Sequence, residues 1–77
     1  MSYSTNIVIH INEKMADEKH EKFIGAIRQI QGVVSANVEG RHPHLMIVGY
    51  NPQDTKPVDI VKQVRKTGVH AQLIAWL

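Results

Sequence analysis

The groups in this chain with ligand chemistry are imidazole and carboxylate. They gather in Met15-Ala16-Asp17-Glu18-Lys19-His20 and at His10, His42, His44 and His70. Oxygen and imidazole donors suit zinc, nickel or copper(II). Cysteine is absent, which removes disulfides and any thiolate-held zinc or copper(I). Enzyme chemistry finds no foothold: there is no Ser/His/Asp order, no phosphate loop and no carboxylate pair in an evident cleft, and a domain this small rarely encloses a pocket. A non-enzymatic binding protein is the expectation.

Seventy-seven residues, 43% hydrophobic and 21% charged, are the length and composition of one ordinary globular domain spanning 1–77, with its core within about 6–75. Met1-Ser2-Tyr3-Ser4-Thr5 lacks the charge and apolar run of a signal peptide, and no stretch approaches the roughly 20 apolar residues of a bilayer span. A cytoplasmic location without membrane insertion is therefore expected. A net charge of +2 is too mild to imply nucleic acid as partner.

Six elements must position these residues. Ile7, Ile9 and Ile11 alternate with Val8 and His10 as in a strand. Asp17 reads as the N-cap of a helix whose stripe is Phe23, Ile24, Ile27 and Ile30, and Gly32 as its stop. Val34, Ala36 and Val38 form a strand that turns through Gly40-Arg41-His42-Pro43 into a partner carrying Met46, Val48 and Tyr50. Asn51-Pro52 closes that hairpin. Pro57 opens a second helix with Val58, Val61 and Val64, Gly68 ends it, and Val69, Ala71 and Leu73 form the last strand. Right-handed crossovers fold this βαββαβ order into the ferredoxin-like α+β sandwich, a four-stranded antiparallel sheet with both helices on one face.

Within that order, Ile30-Gln31-Gly32-Val33, Met46-x-Val48-x-Tyr50-Asn51-Pro52 and Val64-x-x-x-Gly68-Val69-x-Ala71 resemble the heavy-metal-associated domain family over roughly residues 6–75. Members carry soft metals, usually copper(I), between the cysteines of a Met-x-Cys-x-x-Cys loop, as free metallochaperones or as domains of metal-pumping ATPases. Met15 matches the methionine, while Asp17 and His20 fall on the two cysteine positions. The resemblance thus implies the fold and a Met15 packed under the loop. It does not carry over copper(I) trafficking, because a carboxylate and an imidazole cannot give linear bis-thiolate coordination.

Topology places the end of the first strand, both loop-proximal helix ends and the start of the last strand at one pole. His10, Asp17, His20 and His70 are the candidate zinc, nickel or copper(II) ligands there, with His10 and His70 expected roughly opposite each other. His42 and His44 are expected at the other pole. Each residue also has an ordinary role: Asp17 as a cap, His20 as a solvated helix residue, His10 and His70 as a polar patch that could respond to pH.

If the isoleucine row faces the helices, the opposite sheet face receives Val8, Leu45, Ile47 and Ile74, an apolar set for an uncovered sheet. A protein partner or a second copy, giving a homo-oligomer, is the expected cover unless Trp76-Leu77 folds over it. Gly49 would let a neighbour approach closely. Lys62, Arg65 and Lys66 on the second helix would steer an acidic partner. RNA is not expected as the ligand, since neither central strand offers an exposed aromatic pair for base stacking.

Overall fold

Alternation in Thr5–Ile11 buries every second side chain, Ile7, Ile9 and Ile11, and leaves Val8 and His10 on the other side of the strand. The computed structural model describes residues 5–39 and 41–76. This first strand, β1, is followed by α1 (Asp17–Arg28), β2 (Val33–Glu39), β3 (His42–Tyr50), α2 (Pro57–Arg65) and β4 (Ala71–Trp76). The strands lie in the order β2-β3-β1-β4, and all three neighbouring pairs are antiparallel. The expected ferredoxin-like α+β sandwich is the fold observed.

One cluster joins the sheet to both helices. The isoleucine row of β1, Met46, Val48 and Tyr50 of β3, and Ala36 and Ala71 from the outer strands meet Phe23 and Ile27 of α1 and Ile60, Val61 and Val64 of α2. Among the described residues no polar or charged residue is buried, so the core rests on apolar burial alone.

Several local features differ from the sequence reading. Asp17 is the first residue of α1 rather than its cap. Ala16 occupies the cap position, no side chain bonds there, and Asp17 and Glu18 stabilise the first turn through the helix dipole. That helix ends at Arg28, with Gln29 as its C-cap, so Gly32 lies in the turn that leads into β2. The buried stripe of α2 contains Ile60, and Val58 is 58% exposed, because Val58 lies roughly a third of a turn from the centre of the 60/61/64 stripe. Val34 is likewise 58% exposed: the register slips between Val33 and Ser35, and Val34 falls in the bulge. His42 and Pro43 already belong to β3. Gly40 of the expected turn lies outside the described residues, as do Met1–Ser4 and Leu77. Val69 precedes the last strand and packs against the core from the loop.

The far turn, Asn51-Pro52, is held by Asn51 Oδ1 accepting the Gln53 N–H at 3.0 Å, and by the Asn51 N–H donating to the Gly32 carbonyl at 2.8 Å. Gly32 has φ +88°, and a Cβ there would lie 2.7 Å from Thr55 Cγ2 and 3.1 Å from Asp54 Cβ. Gly68 has φ +98° with open space around it. Gly68→Ala should therefore cost about 1 kcal/mol from backbone strain, and Gly32→Ala about 3 kcal/mol from strain plus overlap. Urea denaturation of the two variants checks this, and equal losses would contradict the packing of the Gly32 turn.

Candidate functional site

Antiparallel pairing of β3 with β1 decides where the histidines go. Because β3 runs opposite to β1, it begins where β1 ends, so His42 and His44 share the pole of His10, His20 and His70. The expectation that they sit at the other pole is corrected by this register. Ile11, Glu13, Met15, Asp17, His20 and His44 line a small pocket of about 200 Å³ at this pole, together with Lys14 and Pro43. Met15 packs against the core beneath it.

His44 is the best-oriented imidazole. Its Nδ1 lies 2.7 Å from the Ile11 carbonyl. A carbonyl only accepts, so Nδ1 carries the proton and donates, and in the neutral ring the lone pair is on Nε2. The His10 ring stacks on it, with centroids 5.9 Å apart and an interplanar angle of 23°. At the turn, His42 Nε2 lies 3.9 Å from Glu39 Oε2, an exposed contact of little energetic weight.

His10 does not face His70. Its partners across the sheet are Leu45 and Gln72, because pairing with β4 starts at Ile11 and Ala71, and His70 instead gives its carbonyl to the Asn12 N–H at 3.0 Å. His70 is held by Glu13: its backbone N–H donates to Oε1 at 2.8 Å, and its Nδ1 lies 2.5 Å from Oε2. The four residues His10, Asp17, His20 and His70 are thus divided among a ring stack, a pocket wall and a carboxylate clasp. Among the described residues no three His, Asp or Glu side chains are grouped to hold a metal ion. The donors present, carboxylate, imidazole and thioether, do not fit two-coordinate copper(I) thiolate chemistry. Sequence reasoning missed His44 and Glu13. Counting strand directions would have found the first; nothing local marks a carboxylate 57 residues from its partner.

The helix-free face is built by the same alternation. Val8 is paired with Ile47 on one side and Ala75 on the other, and Leu45 lies opposite His10. Val8, Leu45 and Ile47 are half-buried by their neighbours, and Ile74 is 51% exposed. Between the pairs Val8/Ala75 and Ile9/Leu73 the register shifts, leaving Ile74 as the extra residue of a bulge. Trp76 pairs with Ile7, whose side chain faces the helices, and is 67% exposed, so it does not cover the patch. Leu77 lies outside the described residues. Gly49 does not leave room for a visitor: a Cβ there would lie 2.5 Å from Ser35 Oγ and 2.9 Å from Asn6 Oδ1, side chains of the flanking strands that already fill the space. Lys62, Arg65 and Lys66 are all exposed along α2 and its C-cap. Tyr50 and Phe23 are buried and unavailable for base stacking.

The Glu13 carboxyl is held below its ordinary value of 4.5, first by the His70 ring hydrogen bond and then by the His70 backbone N–H. A depressed carboxylate stabilises the fold above its unfolded pKa, and that contribution fades as pH falls through the folded value. Melting temperatures of wild type and Glu13→Gln should differ near neutrality and converge as the pH is lowered below 4.5. A gap that stays constant with pH would show that the clasp contributes no charge-dependent stability.

No protein-family model and no curated protein matches this chain. Solved structures do. A copper-binding domain from HMA7, a P-type ATPase, superposes with a TM-score of 0.82 at 19% identity, covering 94% of this chain and 96% of that one. The N-terminal domain of a potential copper-translocating P-type ATPase from Bacillus subtilis, in its Cu(I)-loaded state, gives 0.81 at 20% identity, covering 97% and 92%. Oxidized MerP from Ralstonia metallidurans gives 0.80 at 12% identity, covering 95% and 100%. No helix among the described residues is long and apolar enough to cross a membrane. The chain has the fold of the heavy-metal-associated domains and no cysteine with which to build a thiolate site.

Proposed function

We propose that this chain is a non-enzymatic binding module of the heavy-metal-associated fold that works without a cysteine metal site, associating with a protein partner or with itself through its open sheet face. The observation that carries this reading is the row Val8, Ile47 and Leu45 on the two central strands, continued on β4 by Ala75 with Ile74 exposed in the bulge beside it. Central strands are where a sheet most needs cover, and no described element supplies it. Burying even about 400 Å² of such surface at roughly 25 cal/mol/Å² is worth about 10 kcal/mol before association costs. Lys62, Arg65 and Lys66, exposed on α2 and its C-cap, would draw in an acidic partner, an effect on association rate more than on affinity.

Metal binding by zinc, nickel or copper(II) at the loop pole is the second reading, and the orientation of His44 favours it. Its Nδ1–H is committed to a backbone carbonyl beside Asp17 and His20, which is how protein ligands to such metals are commonly preoriented. His70 is held by Glu13, and the His10 ring lies against His44 itself.

Leu45→Lys with Ile47→Lys should leave the fold intact and abolish self-association or partner capture. A wild type that stays monomeric at high concentration by light scattering and captures no partner would overturn the reading. The loop has its own test. Asp17→Cys with His20→Cys should gain tight copper(I) binding in competition with a strong chelator, since two thiolates at about 2.3 Å suit a soft ion, while either single variant binds far more weakly. A folded double variant that binds no better than wild type would show that the loop has diverged in shape as well as in chemistry.

A further inference from the structure

The outermost strands, β2 and β4, each leave one side of their backbone without a neighbouring strand. Natural sheets commonly blunt such rims with lysine or proline on the strand itself. Neither device is present here. The sequence of β4 is AQLIAW and that of β2 is VVSANVE, with Ile74, Trp76 and Val34 exposed on them.

Besides the bulges in β2 and β4, each rim receives a contact from a helix. In an antiparallel ladder successive residues turn their backbone groups to alternate sides. His70 gives its carbonyl to Asn12, so Ala71, the next residue, turns its own carbonyl away from β1. Carried back along β1, the same alternation turns Ile11, Ile9 and Ile7 toward β3. Val48, paired with Ile7, then faces β1, and Ala36, paired with Val48 on the far side, turns outward. On each rim one outward carbonyl, that of Ala36 or of Ala71, is taken by an arginine. Arg65 Nε donates to the Ala71 carbonyl at 2.9 Å. Arg28 donates to the Ala36 carbonyl from Nε at 3.1 Å and from Nη2 at 2.9 Å, and Nη2 also reaches Asn37 Oδ1 at 3.2 Å. Arg28 is the last residue of α1 and Arg65 the last of α2. The two halves of the fold therefore repeat one device, a helix ending in an arginine that reaches to the outer rim of the strand after it.

We propose that Arg28 and Arg65 are edge guards, whose guanidinium groups occupy the outward carbonyls of Ala36 and Ala71 and so deny both rims of the sheet to a strand from a second copy of this chain. A strand added at either rim would need those carbonyls as acceptors and the space that the guanidinium fills. The device is independent of the open-face reading.

The test is sedimentation velocity on Arg28→Met with Arg65→Met, built into the Leu45→Lys, Ile47→Lys protein so that the sheet face is closed to association. Methionine keeps an unbranched stem and removes the donors. The expected result is a sedimentation coefficient that rises with concentration where the parent's stays constant, with an infrared signature of intermolecular sheet. Failure of the face reading would show in the parent itself, whereas failure of the guard shows only in the difference between the two proteins. A folded variant that sediments like its parent at every concentration overturns the proposal. So does equal association by Lys19→Met with Lys22→Met, which removes the same charge away from the rims. If the methionine variant does not fold by circular dichroism, Arg28→Ala with Arg65→Ala, which also lacks the donors, is judged by the same two outcomes.

Discussion

Burial of the isoleucine row in β1 is the constraint from which the other placements follow. Ile7, Ile9 and Ile11 lie on a strand with neighbours on both sides, and all three are excluded from water, each burial being worth about 1.5–3 kcal/mol. A strand has only two faces, so fixing this row under the helices forces Val8 and His10 to the other side. Pairing then transmits the choice: Met46 and Val48 go inward with the isoleucines, and Leu45 and Ile47 go outward with Val8. The apolar open face is a consequence of the same alternation that builds the core. It persists because nothing in β1 or β3 breaks the pattern with a charge.

The loop pole shows the opposite economy. It gathers five histidines with Glu13, Asp17 and Glu39, yet the backbone gives most of them separate occupations. His44 is tied to Ile11, His10 lies on His44, and His70 closes the loop onto Glu13. Asp17 is the first residue of α1 and His20 follows in its first turn, and both line the loop-pole pocket. Asp17 stabilises the helix start, and both residues line the pocket whether or not an ion visits. A pole at which His10, His44 and His70 are already engaged and a face with no described element over it make the face the better candidate for recognition.

The fold was legible because its signals are local and redundant. Period-two alternation in residues 7–11, glycine at 32 and 68 and proline at 57 each mark an element without reference to the rest of the chain. What could not be read depends on register. The bulges that expose Val34 and Ile74 are set by how strands align across the sheet, and no residue type announces them. The Glu13–His70 clasp joins two loops far apart in sequence, and the arginine caps depend on which carbonyls point outward. The pole of His44 was within reach, since strand direction alone determines it. Asp17 shows a subtler limit: a carboxylate at a helix start is favourable both as cap and one position later, so residue type does not fix the boundary.

Association through the open sheet face and binding at the loop pole leave different marks on the spectrum of the protein. Amide NMR spectra recorded over a wide range of protein concentrations, without and with excess zinc, distinguish them most directly. Association through the face gives concentration-dependent shifts centred on Val8, Leu45, Ile47 and Ala75, unchanged by zinc. Spectra independent of concentration, with zinc-dependent shifts confined to Asp17, His20 and His44, would contradict it.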